Sequence, residues 1–167
     1  MSKNVMVIGT GTIGEPLIGL LAEHKDALGL EEILFFKRTP LSDEKGKVEA
    51  LLRKGAKIVS TSDVISDFKK LGFSDIEDVE KAYKDAGVII DCTPSGNENW
   101  ENIYSTLDQS KRFMAQGSEH GFGPFFAWGI NNDILLNDSN RYLIASCNTH
   151  NIASIVKTFA LDQSREL

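Results

Sequence analysis

The sequence predicts an α/β domain, Rossmann-like and doubly wound around a mostly parallel sheet. Two observations predict it. The run Val5-Met6-Val7-Ile8 is too continuously apolar for a half-exposed strand and suits a central strand buried on both faces. Gly9, Gly11 and Gly14 follow at G-x-G-x-x-G spacing, and Leu17, Ile18, Leu20 and Leu21 then recur with helical spacing. A glycine motif between a strand and a helix is more specific than the bare pattern. Gly9 permits the tight turn, Gly11 lets a pyrophosphate approach the backbone, and Gly14 lets the helix pack close to the strand. Pro16 falls in the first helical turn, where its missing N–H costs nothing. The free N–H groups of that turn face the phosphates of a dinucleotide.

The remaining elements alternate as this fold requires. The first helix is expected over about Thr12 to Asp26, and a second strand at Ile33-Leu34-Phe35-Phe36. Asp43 to Lys54 reads as a helix with Val48, Leu51 and Leu52 as its apolar stripe and Gly55 as its stop. Ala56 to Ser60 is a short strand. Ser62 to Leu71 and Ile76 to Ala86 read as helices, the second capped by Ser74 or Asp75. Val88 to Pro94 is a buried strand with its turn, followed by a helix over Asn99 to Leu107. Strands are expected at Arg112–Gln116, Pro124–Ile130 and Tyr142–Ser146, with Trp128 packed inside. A helix from Asn148 to about Asp162 closes the chain, with Ile152, Ile155, Val156 and Phe159 on one face.

Bulk properties narrow the function classes. The 167 residues suffice for one domain with a core, and 41% hydrophobic with 25% charged residues is ordinary for a globular protein. A net charge of −6 argues against a nucleic-acid surface. No apolar run approaches membrane-spanning length. The N-terminus enters the first strand directly, so no signal peptide is expected. Cys92 and Cys147 do not make a disulfide framework, and a reducing cytoplasm is the simplest setting.

Two strand ends carry further chemistry. The second strand ends in Lys37-Arg38-Thr39-Pro40 rather than in the Asp or Glu that holds a ribose 2′-hydroxyl. Cations there accommodate a 2′-phosphate, which points to NADP over NAD. Ligands of open parallel sheets sit beyond the carboxyl ends of the strands, so Thr93, Pro94 and Gly96 are placed on the ribose side. Cys92, among apolar strand residues, reads as inert core. Cys147 stands where the last strand turns into a helix, and a helix N-terminus favours the nucleophilic thiolate. A buried small hydrophobe is the competing reading of that position.

Four pieces, Gly9-Thr-Gly-Thr-Ile-Gly14, Asp91-Cys-Thr-Pro94, Met114-Ala-Gln-Gly-Ser-Glu119 and Ala145-Ser-Cys-Asn-Thr149, occur in this order. In order and spacing the chain resembles the type II, archaeal-type, phosphorylating glyceraldehyde-3-phosphate dehydrogenases of glycolysis and gluconeogenesis. The likeness runs from the first strand to the helix after Cys147, and the Ser-Cys-Asn-Thr piece is its most specific part. The resemblance implies that Thr12 and Ile13 lie under the cofactor pyrophosphate, and that Lys37, Arg38 and Thr39 sit near the adenosine 2′-position. It implies that Gly117 contacts the nicotinamide side, that Ser146, Cys147 and Asn148 meet the substrate, and that Thr149 helps hold phosphate. Cys147 is then the catalytic nucleophile toward an aldehyde, through a thioester that inorganic phosphate cleaves.

The chain departs from the family pattern at His150 and Asn151, where a second Thr and a Gly usually follow. In the family a second, catalytic domain supplies the general-base histidine, the substrate arginine and most of the subunit interface. The resemblance therefore implies residues 1–147 as the NAD(P)-binding domain and 148–167 as the start of a catalytic domain that is absent here. Partners implied are a small aldehyde, inorganic phosphate, and either a homo-oligomer or the missing domain. His150 is expected to be a solvated or capping-region histidine rather than a substitute base. Three readings stay open: the nucleotide-binding half of such an enzyme, a freestanding NADP-binding module without catalysis, and a related semialdehyde dehydrogenase. Gln116-Gly117 and Ser-Cys-Asn-Thr favour the first over the third.

Overall fold

The side chains of Val5–Ile8 (β1) are buried on alternating sides. Met6 and Ile8 join one apolar cluster with Leu34, Ile89, Tyr104 and Phe113. Val5 and Val7 join a second with Ile18, Phe35, Leu51 and Phe68. A strand apolar at every position needs a covering layer on both faces, and the helices supply both. A computed structural model describes residues 2–160 of the chain.

Helix Gly14–His24 (α1) returns the chain to Ile33–Phe36 (β2). Lys45–Arg53 (α2), Lys57–Ser60 (β3), Ile65–Lys70 (α3), Ile76–Asp78 (β4) and Val79–Asp85 (α4) follow. Then come Val88–Asp91 (β5), Gly96–Asn102 (α5), Arg112–Ala115 (β6), Phe125–Phe126 (β7), Arg141–Ile144 (β8) and Cys147–Phe159 (α6). The eight strands form one sheet in the order β4-β3-β2-β1-β5-β6-β8-β7, every described pair parallel. The order reverses between β1 and β5, where a doubly wound sheet leaves a crevice at its carboxyl edge. Among the described residues no helix is long and apolar enough to cross a membrane.

Several elements differ from their sequence-based expectation. Residues 76–86 are not one helix. Ile76, Glu77 and Asp78 pair with Ile58, Val59 and Ser60, and only then does α4 begin. Its cap is Asp78, whose carboxylate accepts the Glu80 N–H at 2.9 Å, rather than Ser74 or Asp75. An open sheet edge beside β3 outweighed helical propensity. The expected strand over 124–130 shrinks to Phe125–Phe126. The Asn131 side chain accepts the Ala127 N–H at 2.9 Å and donates to the Phe125 carbonyl at 2.8 Å, which turns the chain away. Trp128 is 70% exposed and packs in no core. The helix expected over 99–107 begins at Gly96 and ends at Asn102, before a 3-10 turn that buries Tyr104. The last helix runs to Phe159, and the part of that expectation beyond residue 160 lies outside the described residues.

Candidate functional site

The glycine turn is built as its spacing requires. Gly9 has φ of +92°, and a Cβ there would meet the Thr93 methyl at 2.9 Å. A Cβ on Gly14 would stand 1.9 Å from the Gly9 carbonyl oxygen. The helix therefore starts directly against its own turn, and only glycine allows it. A Cβ on Gly11 would meet nothing within 4 Å, so the outer side of the turn is open. No side chain caps α1, and Thr12 and Ile13 are exposed beside its start. An uncapped helix start of this kind is receptive to an anion.

Beyond the ends of β1, β2 and β5 lies a cavity of about 640 Å³. Gly9, Lys37, Arg38, Thr39 and Thr93 line it, as do Thr61, Asp63, Glu80, Tyr83 and Asn99. Five of the sequence-derived cofactor residues thus share one wall, drawn from three strand ends. Pro94 is exposed next to Thr93 and does not line it. The structure separates Lys37 from Arg38. Lys37 is 9% exposed and its ammonium is ion-paired with Glu44, whereas Arg38 and Thr39 are exposed. The Lys37 backbone is held too: its N–H donates to the Val59 carbonyl at 2.9 Å and its carbonyl accepts from Ser60 Oγ at 2.7 Å.

The Thr93 turn is pinned from below by Asp91, which is fully buried. Its carboxylate accepts from the Thr93 N–H at 2.8 Å, Thr93 Oγ1 at 2.6 Å, Asn99 Nδ2 at 2.7 Å and Tyr104 Oη at 2.7 Å. Four donors compensate the desolvation of one charge. Burial, then the negative Asp91, push the Tyr104 phenol well above its ordinary range. Burial pushes the Cys92 thiol up to about 11, with Asp91 adding to it. Cys92 is therefore a protonated thiol near neutral pH, as expected of an inert residue.

The second strand-to-helix turn, at Cys147, lies on the same sheet edge because the strands are parallel. A chain of contacts links the two turns. Gln116 Nε2 donates to the Thr93 carbonyl at 3.2 Å. Gly117 follows, where a Cβ would fall 2.5 Å from the Ser146 nitrogen. Glu119 is buried and accepts the Asn97 N–H at 2.9 Å, tying the Gln116-Gly117 loop to the start of α5. Ser146 is the N-cap of α6: its Oγ accepts the Thr149 N–H at 3.3 Å and lies 2.9 Å from Thr149 Oγ1. Cys147, Asn148 and Thr149 are exposed in the first turn of that helix. Among the described residues Cys147 is exposed rather than buried. Its thiol faces Asn148 Oδ1 at 3.9 Å.

His150 has a partner away from the sulfur. Its Nε2 lies 3.0 Å from the Trp128 carbonyl oxygen, an acceptor, so that nitrogen carries and donates a proton. Glu44, Asp91, Asn99 and Glu119 are parts of this site that the sequence pattern does not single out. Asp91 and Glu119 stand inside the quoted motifs, and a carboxylate at the end of an apolar strand was a usable signal for Asp91. Nothing in the sequence pairs Glu44 with a lysine seven positions earlier.

No protein-family model matches the chain. Curated proteins do. The chain is similar to the N-terminal part of archaeal glyceraldehyde-3-phosphate dehydrogenases. It is 29% identical to that of Pyrobaculum calidifontis over 161 residues, which is 95% of this chain and 44% of the relative. Against that of Pyrobaculum arsenaticum it is 30% identical with the same coverage. Against that of Sulfolobus acidocaldarius it is 29% identical over 158 residues, 92% of this chain and 43% of the relative. The chain thus spans less than half the length of these glyceraldehyde-3-phosphate dehydrogenases. Among solved structures, an aspartate semialdehyde dehydrogenase II of Vibrio cholerae superposes on 94% of this chain and 46% of its own, with a TM-score of 0.55 at 10% identity. That likeness concerns the fold. Fold and relatives agree on a Rossmann-like α/β domain that matches the N-terminal part of the archaeal proteins.

Proposed function

We propose that this chain is the nucleotide-binding half, with the nucleophile segment, of an NADP-preferring phosphorylating glyceraldehyde-3-phosphate dehydrogenase. One observation carries the reading. The cradle at Gly9-Gly14 and the exposed Cys147 at the start of α6 lie on one carboxyl edge, joined through Thr93, Gln116, Gly117 and Ser146. The crevice between β1 and β5 would hold the adenosine, with Arg38 and Thr39 at the 2′-position. The open side of Gly11, with Thr12 and Ile13, would take the pyrophosphate. Gly117, packed onto Ser146, would leave room for the nicotinamide beside the sulfur. When bound, that ring supplies the hydride acceptor.

The chain's own residues do the rest. The Cys147 sulfur, exposed at the start of α6, is the nucleophile that adds to the aldehyde carbon. Ser146, engaged as the helix cap, positions Cys147 rather than offering a free hydroxyl. Asn148 and Thr149 stand beside the sulfur for the substrate and for the inorganic phosphate that cleaves the thioester. The same reading gives a cytoplasmic enzyme and assigns the exposed apolar face of α6 to a homo-oligomer or to a catalytic domain.

Because His150 is committed to Trp128, we expect the 167-residue chain to bind cofactor but to turn over poorly. Titration calorimetry should show NADPH binding tighter than NADH by about tenfold, with Arg38→Ala erasing the gap, since one phosphate contact contributes ~1–3 kcal/mol. Equal affinities would sink the NADP preference. Iodoacetamide should label Cys147 before Cys92, and saturating NADP should slow the labelling. Labelling indifferent to cofactor would separate the two turns and end the enzymatic reading. A freestanding NADP-binding module is the second reading, favoured by the commitment of His150. Aldehyde- and phosphate-dependent NADP reduction by the chain alone would exclude it.

A further inference from the structure

The end of β2 presents two adjacent cations, and the structure treats them differently. The Lys37 ammonium is nearly buried and ion-paired with Glu44, on the turn that leads into α2. Its backbone is fixed on both sides by β3, through Val59 and Ser60. Arg38 is exposed and makes no ion pair among the described residues. Both residues border the same cavity, as do the exposed Asp63 and Glu80. The Lys37–Glu44 pair itself lines a separate, smaller cavity with Glu15, Lys47, Val48 and Leu51, so Glu44 holds the ammonium toward α2 and leaves Arg38 as the unpaired cation at the larger cavity.

We propose that Glu44 sets the cofactor preference by withholding Lys37, so that Arg38 alone discriminates a 2′-phosphate from a 2′-hydroxyl. This rests on the NADP reading above. A phosphate dianion that recruits Lys37 must displace a carboxylate from a half-buried pair and leave Glu44 desolvated without its partner. Arg38 meets no such competition, and its planar fork suits a phosphate. Repulsion from Asp63 and Glu80 keeps the advantage of NADP moderate. Glu44 is then a specificity residue that touches no part of the dinucleotide.

The test compares NADPH and NADH affinities by calorimetry on the full chain, for wild type, Glu44→Gln, Lys37→Ala and the double variant. Glu44→Gln should tighten NADPH by about tenfold through the released ammonium, with NADH within about twofold. The gain should shrink at high ionic strength. Lys37→Ala alone should leave the NADPH/NADH ratio nearly unchanged, and in the Glu44→Gln background it should cancel the gain. NADH affinity doubles as the check that each variant is folded. An unchanged ratio in Glu44→Gln, or a ratio erased by Lys37→Ala alone, overturns the proposal. If both cofactors bind and the Arg38 dependence holds while Glu44→Gln is silent, only this inference falls. If neither binds, the NADP reading fails and takes this inference with it.

Discussion

The two strand-to-helix turns of this molecule are built alike and finished differently. At the glycine turn, α1 buries Gly14, Ile18, Gly19 and Ala22 against the sheet. At the cysteine turn, α6 buries no residue along its thirteen. Ile152, Ile155 and Phe159 are 64%, 59% and 83% exposed. Both helices carry an apolar stripe, yet only the first has a partner within the described residues. A helix buried on one face is held mainly by that packing, whereas one without it depends on its caps and propensity. The nucleotide side is thus a closed core, and the sulfur side is held by the Ser146 cap and by the bond from His150 to the Trp128 carbonyl.

This contrast can be broken by mutation. The largest effect should come from Gly14→Ala, whose Cβ would stand 1.9 Å from the Gly9 carbonyl oxygen. A backbone clash in a packed turn should cost about 3 kcal/mol in urea unfolding. A loss under about 1 kcal/mol would mean that the turn yields, and that the nucleotide side is no more rigid than the other. Next is Ser146→Ala, which removes the cap of α6 at a cost of about 1 kcal/mol. Its loss should appear as faster amide exchange in the first turn of α6, with β1 and β5 unaffected. Exchange that rises across the whole sheet would show the two sides to be one cooperative unit.

Alkaline pH probes the nucleotide side alone. The folded pKa of Cys92 lies near 11, above its ordinary 9.0, so the native state holds its proton longer than the unfolded state does. The associated stability is fully present below about pH 9 and is lost as pH rises through about 11. The Tyr83 phenol, pushed up to about 12 chiefly by burial, acts in the same direction. Thermal melts of Cys92→Ala should therefore fall less steeply between pH 9 and 11 than those of the wild type. Parallel slopes would remove Cys92 from the alkaline response. The smallest effect is expected from Phe159→Ser. At 83% exposure the ring contributes little to the fold, and stability should stay within about 0.5 kcal/mol. A larger loss would show that α6 packs against something after all.

Legibility in the sequence followed the same division. Val5–Ile8, Ile33–Phe36 and the three glycines were readable because each is enforced locally, by continuous burial or by a backbone that no Cβ permits. Residues 76–78 carry no strand signal of their own, because a short strand at a sheet edge is specified by its neighbour β3 and not by its own pattern. The segment after Phe126 reads as strand but is not one, because the Asn131 side chain, several residues on, decides where the chain turns. Within the candidate site, the residues of the glycine turn and of the Ser-Cys-Asn-Thr turn stood out by type and spacing. The unequal roles of Lys37 and Arg38 did not, since adjacent cations look the same until one of them finds Glu44.

The sequence by itself determined most of the alternation of strands and helices, the glycine cradle, and a cysteine at the mouth of the last helix. Period, spacing and steric necessity all act over a few residues. Only the tertiary structure decided that Asp91 is buried under four donors, that Lys37 is paired, that His150 serves the Trp128 carbonyl, and that the apolar face of α6 is uncovered. Each of those depends on groups far apart in the chain, whose charges and hydrogen bonds meet only once the sheet has assembled.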